Sequence, residues 1–155
     1  MCIRDRIVTV PLQMVEFYLI LAAVTAVSMG VFWRLLIGTV VMVVAGYMGE
    51  AGFINTTIGF VVGMAGWAYI LYEIFSGEAS KSAANAKPSV QSAFNTMKWI
   101  VTIGWAIYPL GYFLGYLAGG TDEATLNIVY NVADFINKIG FCLAIWAAAT
   151  TEADA

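Results

Sequence analysis

Long apolar runs alternate along this chain with short polar breaks. Five runs approach or exceed the roughly 20 residues that an α-helix needs to cross a bilayer. They are residues 7–29, 33–51, 54–76, 90–118 and 124–149. The breaks carry turn residues or charge: Ser28-Met29-Gly30 with Arg34, Gly49-Glu50-Ala51-Gly52 with Asn55, the polar stretch from Gly77 to Pro88, and Gly119-Gly120-Thr121-Asp122-Glu123. The pattern predicts an all-α transmembrane fold of five membrane-spanning helices, followed by a short solvated tail at 150–155.

Composition narrows the class further. Only 11% of the 155 residues are charged, 61% are hydrophobic, and the mean hydropathy is +0.83. Soluble domains carry about 25% charged residues, and disorder requires low hydrophobicity, so both are excluded. A net charge of −3, a pI near 4.7 and the lack of a basic stripe argue against nucleic-acid binding. The sequence has no His. That removes His-based triads, imidazole metal sites and histidine-ligated haem. Cys2 and Cys142 have no CxxC spacing, so neither a disulfide framework nor a metal site is expected. No GxGxxG, P-loop or internal repeat is present. What remains is a polytopic helical membrane protein.

Charge alternates between the breaks. Arg34 lies at the first and Lys81 and Lys87 in the third, whereas the second offers Glu50 and the fourth Asp122 and Glu123. Cytoplasmic loops are enriched in Lys and Arg, so breaks one and three face the cytoplasm and the C-terminus is cytoplasmic. The first helix then starts outside, which conflicts with Arg4 and Arg6 in the leader Met1–Arg6. The expectation is that helices upstream of this chain are missing.

Ionisable residues deep in a membrane helix are costly and mark function. Three stand out: Glu16, Asp134 and Lys138. Lys138 has about a dozen residues of helix on either side, too far from an interface at 1.5 Å per residue for a lysine to reach water. Asp134 is four residues earlier and Tyr130 four before that, so the three form one polar stripe. One reading is a buried ion pair that holds the bundle together. The other starts from desolvation, which favours the neutral, nucleophilic amine and suits it to attack an aldehyde. The resulting Schiff base would keep its positive charge beside a carboxylate.

The first helix has a stripe of its own in Asp5, Thr9, Gln13 and Glu16, spaced by 4, 4 and 3. Two carboxylates about 16 Å apart along the axis, with a lysine nearby, read as a proton relay. A polar stripe that merely faces other helices is the plain alternative. The fourth helix carries Trp105, Tyr108, Pro109, Tyr112 and Tyr116. Pro109 predicts a kink, and the aromatic stripe is either packing or the wall of a flat conjugated ligand. GxxxG pairs at Gly59/Gly63, Gly111/Gly115 and Gly115/Gly119 predict close helix contacts. Glu50 and Glu73, near helix ends, are read as interfacial.

The strings TVPLQMVEFYLILAA, GYMGEAG, SAFNTM, GWAIYPLGYFLGYL and NVADFINKIGF carry a family resemblance over residues 7–149. The chain resembles the proteorhodopsins, bacterial light-driven proton pumps of the microbial (type I) rhodopsin family. The family has seven helices, and this chain resembles the third to seventh. The resemblance implies all-trans retinal as cofactor, bound to Lys138 as a protonated Schiff base. It implies Asp134 as a counterion, Asp5 as proton acceptor, Thr9 between the two carboxylates and Glu16 as the cytoplasmic proton donor. Trp105, Tyr108 and Pro109 match the aromatic retinal wall, Trp67 matches the tryptophan near the ring end, and Tyr130 joins the cofactor-binding set. Gln13 matches a colour switch at which leucine gives green absorption and glutamine blue. A polar group near the Schiff base favours the ground-state charge and widens the gap, so a blue-absorbing form is expected.

The resemblance further implies a multi-pass protein of the bacterial inner membrane whose partners are retinal, protons and lipid. It implies a homo-oligomer, pentamer or hexamer, and no nucleic acid. The departures lie in residues 1–6. The family's Arg, aromatic and Trp around the acceptor Asp are replaced here by Cys2, Ile3 and Arg6, so this leader reads as foreign to the family. A photosensory rhodopsin and a helical membrane protein without retinal are the competing functions. Glu16 argues against the first and Lys138 against the second.

Overall fold

The computed structural model describes residues 3–23 and 25–153, with side chains described for 6–23, 25–122 and 124–151. Cys2 and the Asp5 side chain, both named above, lie outside the described residues. Every regular element among the described residues is helical: α1 (Ile3–Ala22), α2 (Met29–Glu50), α3 (Thr56–Phe75), α4 (Glu78–Ala84), α5 (Pro88–Trp99), α6 (Ile107–Tyr112) and α7 (Glu123–Ala153). Two π-wound segments, Ile100–Gly104 and Phe113–Leu117, continue α5 and α6.

Among the described residues, four stretches are long and apolar enough to cross a membrane: Met29–Glu50, Thr56–Ala84, Pro88–Leu117 and Ala124–Thr151. The expectation was five. The sequence of α1 spans 20 residues but includes Arg4, Asp5, Arg6 and Glu16. It nevertheless packs along α2 and touches α5.

Several boundaries depart from the hydropathy reading. The first helix ends at Ala22 rather than near 29. The Thr25 hydroxyl bonds back to the Leu21 carbonyl at 2.9 Å, and extended Ser28 starts α2. The chain therefore leaves the helix inside a mostly apolar run, whose only polar residues beyond Ala22 are Thr25 and Ser28. The polar stretch after Gly77 folds into α4 before Pro88 opens α5, where its missing N–H costs nothing. The tail read as starting at 150 is helical through Ala153. Other ends follow local chemistry. Asn55 Oδ1 accepts the Thr57 and Ile58 N–H groups at 2.9 and 3.3 Å and caps α3. Asp122 accepts from the Thr125 hydroxyl at 2.6 Å and its N–H at 2.9 Å, which holds the Asp122 carboxyl below the usual carboxylate range.

Close packing follows the glycines. A Cβ at Gly59 would lie 2.8 Å from Ala45 O, and one at Gly66 would lie 2.9 Å from Gly38 O. The α2 and α3 backbones touch because these positions have no side chain. On the other side, Phe17 of α1 meets Phe94 of α5 edge-on at 4.9 Å and Phe141 of α7 at 5.9 Å. Apolar side chains such as Leu12, Ile37, Val61, Val132 and Trp146 point outward, as a lipid-facing surface requires.

Glu73, near the end of α3, is buried inside the protein. It is 1% exposed, with Oε1 accepting the Ala79 N–H at 3.1 Å and Oε2 paired to Arg34 Nη1 at 3.0 Å. Arg34 Nη2 reaches Glu78 Oε2 at 2.5 Å. The short helix α4 folds back over the end of α3 and covers a carboxylate that position alone places at the surface.

Candidate functional site

Helix α7 presents Tyr130, Asp134 and Lys138 along one stripe. A buried carboxylate is unfavourable unless several groups compensate it. Asp134, 2% exposed, has three. Oδ1 accepts the Tyr108 phenol at 2.5 Å. Oδ2 lies 3.5 Å from Lys138 Nζ and 3.4 Å from Arg6 Nε. Tyr130 donates to the Tyr108 carbonyl at 3.3 Å. The Arg6 guanidinium lies over both rings, 4.7 Å from the Tyr108 centroid and 4.4 Å from that of Tyr130.

Tyr108 is placed by irregular winding around Pro109. In Ile100–Gly104 the Trp105 N–H bonds Ile100 O at 3.0 Å, five residues back, instead of Val101 O. Trp67 of α3 uses that carbonyl, donating Nε1 to Val101 O at 3.0 Å. Pro109 has no N–H to give. The Tyr108 N–H bonds Trp105 O at 3.1 Å, and Gly104 O is taken by Asn137 Nδ2 at 3.0 Å. The same Nδ2 stands 3.4 Å from the Tyr108 hydroxyl. Both carbonyls that leave the regular ladder are thus satisfied from neighbouring helices, and both bonds fix the segment that carries Trp105 and Tyr108.

A cavity of about 110 Å³ lies beside this cluster. Trp67, Trp105, Tyr108, Pro109 and Tyr130 line it, together with Arg6, Gly46, Glu50 and Met64. Lys138 stands one carboxylate away: Arg6, Tyr108 and Tyr130, all grouped around Asp134, form that end of the wall. The structure therefore brings Lys138, Asp134, Tyr130, Tyr108, Trp105, Pro109 and Trp67 into one site.

Three residues of the α1 stripe do not reach that cavity. Thr9 Oγ1, Gln13 Nε2 and Glu16 Oε2 are buried without a hydrogen-bond partner among the described residues, and none of the three lines the aromatic cavity. Glu16 faces a second cavity, about 480 Å³, walled by Leu19, Val90 and Ile145 from α1, α5 and α7. Glu50, read as interfacial, lines the aromatic cavity instead. Sequence reasoning missed Arg6, Asn137 and Gly46. Arg6 precedes Thr9 and Gln13 by three and seven residues, a spacing that already set it on the polar face of α1.

An all-helical bundle with a half-buried lysine paired to a buried carboxylate beside an aromatic cavity defines a multi-pass helical membrane protein. Residues 4–152 match the sequence profile of the family described as "Bacteriorhodopsin-like protein", and the chain belongs to that family. It is 52% identical over 149 residues to the green-light absorbing proteorhodopsin of Gamma-proteobacterium EBAC31A08, covering 96% of this chain and 60% of that protein. It is 51% identical over 150 residues to the blue-light absorbing proteorhodopsin of Gamma-proteobacterium Hot 75m4, with the same coverage of 96% and 60%. The crystal structure of blue light-absorbing proteorhodopsin from Med12 matches with a TM-score of 0.79 at 51% identity, covering 97% of this chain and 66% of that one. The chain spans 60% of the length of these curated relatives.

Proposed function

We propose that this chain forms the retinal site of a light-driven outward proton pump, blue-absorbing, with Lys138 carrying the chromophore. The observation that carries the proposal is the Asp134–Lys138 pair at 3.5 Å beside an aromatic cavity. The donor set fits retinal. An amine suits its aldehyde carbon, a buried carboxylate suits the charge of a protonated Schiff base, and Trp67, Trp105 and Pro109 suit a polyene.

When bound, retinal supplies light absorption and isomerisation. The protein's own residues do the rest. Asp134 serves as counterion beside Lys138 Nζ, and Tyr108 holds that carboxylate in place at 2.5 Å. Glu16 holds a proton on the cytoplasmic side, Asp5 takes one on the outward side, and Thr9 lies between them. Gln13 favours the ground-state charge and gives the blue colour. The relatives support the class but not the colour, because a green-absorbing and a blue-absorbing protein are equally similar. The chain sits in the bacterial inner membrane with its C-terminus in the cytoplasm, and it assembles as a pentamer or hexamer.

The test is a visible spectrum with added all-trans retinal. It is taken on membranes holding this chain together with a separately expressed two-helix segment of a close relative. A band in the blue that vanishes in Lys138→Ala is expected. Glu16→Gln keeps the colour and slows the photocycle. No band, with both pieces shown to be inserted, overturns the proposal.

A further inference from the structure

Arg6 has no part in the roles assigned above, yet it is 7% exposed and sits at the centre of the cluster. Its Nε shares Asp134 Oδ2 with Lys138 Nζ, at 3.4 and 3.5 Å. The other oxygen of that carboxylate is taken by Tyr108. Two cations therefore divide one oxygen. Arg6 lines the cavity and Lys138 does not, so the guanidinium stands at the boundary between the carboxylate and the ligand space. The flat guanidinium also lies over Tyr108 and Tyr130, the two rings that form that end of the wall.

We infer that Arg6 is a specificity-determining residue of the chromophore site: it withdraws part of Asp134 from the Lys138 nitrogen and shifts the absorption of the bound polyene to longer wavelength, in opposition to Gln13. This rests on the retinal reading above. In a protonated conjugated Schiff base the ground-state charge resides near the nitrogen, and excitation moves it along the chain. A carboxylate close to the nitrogen lowers the ground state more than the excited state and widens the gap. A fixed cation competing for the same oxygen weakens that effect and narrows it. Arginine does not lose its charge in proteins, so the shift is permanent rather than switched by pH. Because the guanidinium lies over two rings, it also holds the wall against which a polyene would lie.

The experiment uses the chain with its two-helix complement and all-trans retinal, in three forms: unsubstituted, Arg6→Gln and Arg6→Lys. Arg6→Gln is expected to move the visible band to shorter wavelength by on the order of 10 nm, as the full carboxylate charge returns to the nitrogen. Arg6→Lys keeps the charge and holds the band near its original place. A band in Arg6→Gln that stays put or moves to longer wavelength overturns the inference.

A second readout needs no retinal. Near-ultraviolet tyrosine circular dichroism of the retinal-free chain falls in both variants, because the planar cation leaves the faces of Tyr108 and Tyr130. Unchanged dichroism overturns the contact itself. If the unsubstituted chain gives no Lys138-dependent band while the dichroism still responds, the retinal reading has failed and the Arg6 contact stands. If Arg6→Gln does not insert, Arg6→Lys decides alone: retained colour with reduced dichroism supports the inference, and a blue-shifted band overturns it.

Discussion

Trp67 and Val101 are joined across two helices, the indole N–H of one donating at 3.0 Å to a carbonyl that π winding has released from the other's own ladder. The bond makes an irregular backbone and a cavity wall mutually dependent. Trp67→Phe keeps an aromatic ring in the wall and removes the donor. Val101 is fully buried, so its carbonyl is left without a partner. The expected cost is about 1–3 kcal/mol, read as a lower midpoint of thermal unfolding in detergent. An unchanged midpoint would mean that water satisfies that carbonyl.

Gly104 and Asn137 make a second such pair. Asn137 Nδ2 donates to Gly104 O at 3.0 Å, and a Cβ at Gly104 would strike Asn137 Oδ1. Gly104→Ala should destabilise by roughly 1–3 kcal/mol, the usual cost of overpacking. The double variant Gly104→Ala with Asn137→Ala removes the clash, so the two effects should fall short of additivity. Unfolding midpoints of all four forms measure the coupling. Strict additivity would place the strain elsewhere.

Gly46 lines the cavity, and an added Cβ there meets no atom within 4 Å. Gly46→Phe should therefore leave the apoprotein's unfolding midpoint nearly unchanged while filling ligand space. Retinal uptake, followed as growth of the visible band, should weaken by roughly tenfold or more, in keeping with overpacking costs. Full uptake would show that the ligand lies away from α2.

The site was legible in sequence where it follows helical spacing. Tyr130, Asp134 and Lys138 share a face by arithmetic, and one helix holds all three. Trp105, Tyr108 and Pro109 were legible as an aromatic stripe beside a kink. The winding itself was not, because it begins at Ile100, nine residues before the proline, and depends on donors that arrive from α3 and α7. The burial of Glu73 was not legible for a related reason. Its burial comes from α4, a helix made of residues that read as a polar loop. The first helix end was misjudged because α1 stops at Ala22, inside a mostly apolar run, and hydropathy carries no information about where such a run leaves the helix. Arg6 lay on the stripe by spacing, but its place at the chain's start led it to be read as leader.

One consequence of Asp134 concerns assembly rather than light. Its two oxygens are held from α1, from α6 and from its own helix. The carboxylate thereby fixes the angle at which the 31-residue α7 is turned about its axis. Outward residues such as Ile128, Val132 and Ile136 impose no such angle, since lipid accepts any apolar face. A single residue inserted ahead of Asp134 would rotate it by about 100° and deliver a charge to the hydrocarbon. The membrane tolerates a wide range of side chains along this helix, and only one azimuth.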